Sequence, residues 1–132
     1  MTWLRPADIR RRSKSKQKNV KTEIDGIKFA SKGEAERYCY LRLLVKAGQI
    51  RDLELQPRFE LQAAFQRNGV RYPSVTYVAD FSYIECDTGR RIVEDFKGQE
   101  TDIFKLKKRL FLATHKPDVF RISTARRGTT DL

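Results

Sequence analysis

The chain has 132 residues, 28 of them Lys or Arg against 17 Asp or Glu, for a formal net charge of +11 and a sequence pI near 10.0. That bias favours a polyanionic partner, nucleic acid first, although an anionic membrane surface or a ribosomal setting would also suit it. No apolar run is long enough to span a membrane, the start lacks the apolar segment of a secretory signal, and Cys39, Cys86 and His115 make neither a disulfide framework nor a zinc site.

Residues 1–20 carry Arg10, Arg11, Arg12, Lys14 and Lys16, interspersed with Ser13, Ser15 and Gln17. They are expected to form a flexible basic arm that adds phosphate contacts, with a solvated tail as the plain alternative. Val20 to Phe29 predicts a short hairpin turning at Asp25-Gly26, since Asp-Gly suits a two-residue turn. Ser31 to Ala47 predicts a helix: Ser31 and Glu34 match a capping box and Gly48 supplies the stop. On the wheel Glu34 falls with Tyr38, Leu41 and Val45, and Glu36 with Tyr40, Leu43 and Ala47. The helix is apolar on both sides, so periodicity leaves open which glutamate faces the core.

Ile50 to Leu61 alternates as a strand does, with Leu53, Leu55, Phe59 and Leu61 on one face. Pro57 marks an edge position, a bend or a break there. A polar loop around Arg67-Asn68-Gly69 leads to Val75–Ile84, a strand by composition that carries Asp80 on the face of Val78, Ser82 and Ile84. A turn at Asp87-Thr88-Gly89 leads into Ile92 to Gly98, predicted as its antiparallel neighbour, which would set Asp80 beside Asp95. Within that stretch Asp95 and Lys97 share a face, roughly 7 Å apart along the strand, and Glu94 points the other way. One carboxylate and one ammonium on a sheet face suit a metal and a positioned water, or else a structural ion pair at an edge. Thr101 or Asp102 caps a second helix reaching about His115. Its expected apolar seam is Ile103, Leu106 and Leu110, widened by Phe104 and Phe111, and Lys105, Lys108 and Arg109 form a basic stripe. Asp118–Thr124 reads as a last strand, and 125–132 as a polar tail.

In order, the chain offers Glu34 on a helix, Asp80 in a strand, then Asp95-x-Lys97 in the next strand. This arrangement resembles the PD-(D/E)xK nuclease superfamily, with Ala79 standing where the proline of the motif's name would be. The segments Ser-Lys-Gly-Glu-Ala, Leu-Gln-Pro-Arg-Phe-Glu-Leu, Val-Ala-Asp-Phe and Val-Glu-Asp-Phe-Lys-Gly look like a small phage-encoded family known as a domain of unknown function. That family is similar to archaeal Holliday junction resolvases, a transposase endonuclease subunit and the very-short-patch mismatch endonucleases. The resemblance spans about Lys21 to Thr124.

It implies an α/β (α+β) single-domain, restriction-endonuclease-like fold over 21–124: an α-β-β-β-α-β core with a central mixed sheet flanked by helices. The implied activity is metal-dependent hydrolysis of DNA phosphodiesters, structure-selective for branched DNA in the manner of a Holliday junction resolvase, with nicking or mismatch-directed cleavage, or non-catalytic nucleic-acid binding, as alternatives. Asp80 and Asp95 would hold Mg²⁺ (Mn²⁺ substituting), helped by the backbone carbonyl of Phe96 and by Glu34, while Lys97 would act on the attacking water. Gln56 and Gln99 are weaker candidates near the scissile phosphate. A homodimer, a bacterial cytoplasm with phage or prophage origin, no membrane and no organic cofactor complete the expectation.

Overall fold

A computed structural model describes residues 21–97, 100–124 and 128–132. The described chain is α+β and divides into two compact units, the first ending at Cys39 and the second running from Tyr40 to Leu132. The division falls inside the helix Lys32–Lys46.

The first unit pairs β1 (Thr22–Ile24) with β2 (Ile27–Phe29) as an antiparallel hairpin. Asp25 and Gly26 turn it with φ of 53° and 75°, the left-handed values a two-residue turn requires. The hairpin is tied to the start of α1 (Lys32–Lys46): the Phe29 and Tyr38 rings lie 5.1 Å apart, and the Tyr38 hydroxyl donates to Asp25 Oδ2. Ser31 caps the helix, its Oγ accepting from the Glu34 N–H at 3.1 Å. Glu34, Ala35, Tyr38 and Leu41 are the buried positions of α1, whereas Glu36 is exposed beside Lys32. The side-chain face left open by periodicity is thus Glu34's.

The second unit is built on a mixed five-stranded sheet in the order β11-β10-β9-β8-β3, where β3 is Ile50–Leu55, β8 Phe81–Glu85, β9 Arg91–Phe96, β10 Val119–Thr124 and β11 Gly128–Asp131. Only β9 and β10 run parallel, joined through α2 (Asp102–His115), as a parallel connection needs a long crossover. Strand β11 forms where the sequence suggests a polar tail: it pairs antiparallel with β10, and its exposed polar residues suit an edge. Smaller pairs are β4 (Arg58–Gln62) with β7 (Val75–Val78), and β5 (Phe65–Arg67) with β6 (Val70–Tyr72).

Two expected strands are each broken. Ile50–Leu61 splits at Gln56-Pro57, where Gln56 takes a φ of 49°. Proline cannot donate to a ladder, so the chain leaves one sheet and enters another there. Val75–Ile84 splits at Ala79-Asp80: β7 pairs with β4, while β8 lies between β3 and β9. The loop expected at Arg67-Asn68-Gly69 is the turn of the β5–β6 hairpin, with Asn68 and Gly69 at φ 51° and 75°.

The core lies between α2 and the sheet face carrying Val93 and Phe120, and includes Phe59, Tyr77, Ala79, Phe104 and Phe111. Truncating a ring such as Phe111 in such a core costs about 3–5 kcal/mol. The expected seam of α2 does not face this core: Ile103, Leu106 and Leu110 are 70%, 58% and 40% exposed. Phe104 and Phe111, seven residues apart and so on one stripe, bury the larger apolar area and set the helix's rotation.

Candidate active site

The site grows from the register of β8 and β9. Phe81 pairs with Glu94 and Ser82 with Val93, so the strand end brings Asp80 to Asp95. The Asp80 N–H donates to the Glu94 carbonyl at 3.2 Å, and the Phe96 N–H donates to Asp80 Oδ2 at 2.7 Å. A residue's N–H and carbonyl point to the same edge of its strand, so the Phe96 carbonyl lies on the Asp80 side as well. Gln56 joins through its backbone, its N–H donating to the Asp80 carbonyl at 2.9 Å, which fixes the break between β3 and β4 against the site.

Asp95 is 1% exposed. Its Oδ2 accepts from the Tyr77 hydroxyl at 2.5 Å, and Lys97 Nζ lies 3.6 Å from its Oδ1. Burial pushes the Asp95 carboxyl up to about 8, and the hydrogen-bonded, like-charged Asp80 carboxyl adds to the rise; Tyr77 and Lys97 oppose it. Burial and the same acid also hold the Tyr77 phenol well above its ordinary range, so it stays a donor. Lys97 is anchored from the other side, with Nζ 4.5 Å from the Phe104 ring centroid. Lys108 shares that ring at 5.8 Å and pairs with Glu100 Oε1 at 3.2 Å. Lys105 and Arg109 of the α2 stripe are exposed on the helix.

Glu94 is fully buried on the opposite sheet face, where Tyr83 donates to Oε1 at 2.7 Å and Ser123 to Oε2 at 3.2 Å. Arg121 donates to the Tyr83 hydroxyl at 3.1 Å and to both Asp131 oxygens. Burial and Glu94 raise the Tyr83 phenol, and the Asp131 partner raises the Arg121 guanidinium. Adjacent acids are therefore housed separately, each capped by a tyrosine.

The structure brings Asp80, Asp95, Phe96 and Lys97 together, with the Gln56 backbone N–H on the Asp80 carbonyl. Glu34 belongs to the first unit, where it is buried. Arg10, Arg11, Arg12, Lys14, Lys16 and Gln99 lie outside the described residues. Tyr77 and Tyr83, which complete the two acid environments, have no local signal in the sequence, because each reaches its partner across strands. Two neighbouring carboxyls call for a shared proton or a cation. Among the described residues, no group of three or more His, Cys, Asp or Glu side chains gathers to hold a metal, so the protein's own set is two carboxylates plus backbone. That set suits Mg²⁺, which keeps several waters and takes few protein ligands.

The model of a family described as a protein of unknown function, DUF1064, matches residues 12–125. No curated protein and no solved structure matches the chain. Among the described residues no helix is long and apolar enough to cross a membrane.

Proposed function

The chain belongs to the DUF1064 family, and from the site above we propose that it is a metal-dependent DNA endonuclease with a restriction-endonuclease-like core. The observation that carries this reading is the strand register that sets Asp80 beside Asp95, with Asp80 Oδ2 held by the Phe96 N–H at 2.7 Å and Lys97 Nζ 3.6 Å from Asp95 Oδ1. With β4–β7 set aside as an insertion outside the main sheet, α1, β3, β8, β9, α2 and β10 follow the α-β-β-β-α-β order of PD-(D/E)xK nucleases, which supports it.

In this reading Asp80, Asp95 and the Phe96 carbonyl hold Mg²⁺, or Mn²⁺ in its place. The ion supplies Lewis acidity at phosphorus and eases ionisation of the attacking water. Tyr77 keeps Asp95 oriented, and the Phe96 N–H does the same for Asp80. Lys97 orients the water or stabilises negative charge gathering on the phosphate. Lys105, Lys108 and Arg109 on α2 make phosphate contacts, in keeping with the +11 charge. The substrate we assign is branched DNA, cut by a homodimer that presents two sites, in a bacterial cytoplasm and of phage origin.

A binding-only reading draws on the small ligand set and predicts salt-dependent binding without cutting. One experiment separates the readings: purified protein with linear, supercoiled and four-way-junction DNA, with and without Mg²⁺. Junction-selective cutting in Mg²⁺, lost in Asp95→Ala and Lys97→Ala while salt-dependent binding persists, is the expected result. Nicked circles alone would favour the nicking alternative. Intact DNA throughout, with binding retained, would overturn the nuclease reading.

A further inference from the structure

The β5–β6 hairpin has no part in the core or in the catalytic cluster. Every residue from Gln62 to Val75 is exposed, and among the described residues β5 and β6 pair only with each other. A lone two-stranded ribbon is marginal in water, and this one is held by its own chemistry. Asn68-Gly69 makes the tight turn, and Phe65 pairs with Tyr72 across the strands, their rings 4.8 Å apart and within 9° of parallel. Both rings stay open on their outer faces, Phe65 42% and Tyr72 45% exposed. Arg67 and Val70 share that face by strand alternation, and Gln66 and Arg71 lie on the other. Ala64, Phe65, Gln66 and Arg71 line a concavity of about 240 Å³.

The charge of the segment is one-sided: between Glu60 and Asp80 there is no acid, and there are two arginines, Arg67 and Arg71. Exposed aromatics are costly where nothing covers them, and an exposed apolar ribbon edge invites aggregation. Parallel rings flanked by arginines match one kind of partner well, namely flat bases on an anionic backbone. We infer that the β5–β6 ribbon binds unpaired nucleobases, with Phe65 and Tyr72 as the stacking platform and Arg67 and Arg71 on the adjoining phosphates. The inference rests on nucleic acid being the partner and not on the cutting chemistry. The ribbon connects β4 to β7, and β7 leads directly to Asp80, roughly 17 Å of extended chain away from Val75. A strand opened at the ribbon would therefore lie near the paired carboxyls.

The probe is a fluorescein-labelled single-stranded oligothymidylate and a duplex of equal length, titrated with the whole chain in EDTA so that nothing is cut. Phe65→Ala with Tyr72→Ala should weaken single-strand binding about tenfold or more and duplex binding far less. Phe65→Leu with Tyr72→Leu keeps an apolar cross-strand pair without ring planes and should show the same loss, while Phe65→Tyr with Tyr72→Phe should bind as the parent does. Arg67→Ala and Arg71→Ala should each lower the salt slope by about one. Unchanged single-strand affinity in the leucine pair, or equal losses on both probes, would overturn the inference even if the parent cuts DNA. Loss in the leucine pair would sustain it even if the parent proves unable to cut.

Discussion

The Tyr77 hydroxyl lies 2.5 Å from Asp95 Oδ2 and donates to it where almost no solvent reaches either group. The ring also packs against Phe104, Phe111 and Phe120. One residue thus ties the apolar core to the more buried carboxyl of the Asp80–Asp95 pair.

Tyr77→Phe keeps that packing and removes the donor. A buried acceptor that loses a hydrogen bond costs about 1–3 kcal/mol. Urea denaturation in EDTA should show a loss of that size, larger at pH 9 than at pH 6 because the ionised carboxylate needs the donor more. Under the nuclease reading, cleavage by the folded variant should also fall. A variant as stable as the parent at both pH values would mean that the hydroxyl leaves Asp95 in solution.

The raised Asp95 carboxyl makes stability depend on pH in a definite direction. An acid whose folded pKa lies above its unfolded value binds more protons when folded, so its stabilisation is complete below the unfolded pKa of about 4 and is lost as pH rises towards about 8. The metal-free protein should therefore lose melting temperature through that window, and Asp95→Asn, which cannot ionise, should flatten the loss. At pH 8 Mg²⁺ should restore stability to the parent and not to the variant, by binding only the folded form. An unchanged slope in Asp95→Asn would place the linkage elsewhere.

What the sequence revealed and what it concealed divide along the range of the interactions. Asp25-Gly26, Ser31 with Glu34, and Thr101 each act within a few residues, and the first hairpin and both helix starts follow from them. The placing of Asp95 and Lys97 on one face, opposite Glu94, follows from strand alternation alone. Pro57 signals a break at its own position, whereas the break at Ala79-Asp80 carries no such mark, because a composition suited to one strand serves equally for two strands in different sheets. Asn68-Gly69 did carry a hairpin signal, weakened by the exposed strands around it. The rotation of α2 depends on which apolar residues find aromatic neighbours in Phe59 and Tyr77, and no local pattern reports that.

Adjacent Glu94 and Asp95 should separate structure from chemistry. Glu94→Ala removes the interior acceptor of the Tyr83 and Ser123 hydroxyls, at a cost of about 3 kcal/mol or more. It removes nothing from the Asp80 side. Under the nuclease reading, cleavage per folded molecule should stay near the parent's, with denaturant midpoint sharply lower, whereas Asp95→Asn should abolish cleavage with no comparable loss of stability. Midpoint and single-turnover rate on the same preparations would check this. A cutting defect in Glu94→Ala beyond its folded fraction would show that the far face of the sheet shapes the site.

The two glutamates of α1 provide the remaining contrast. Glu36 is exposed, 4.0 Å from an equally exposed Lys32, and a pair of that kind contributes about 0.5 kcal/mol or less. Glu36→Gln should therefore leave both melting and cutting unchanged. Glu34 is buried in the first turn, where a negative charge also meets the helix N-terminus favourably. Glu34→Gln should lower cleavage at least tenfold if the carboxylate serves the reaction, beyond a stability loss of about 1 kcal/mol. Thermal melting and single-turnover cutting, measured on both variants at saturating Mg²⁺, decide between the two roles. Parent-like cutting by Glu34→Gln, with only its melting lowered, would confine Glu34 to holding the helix start.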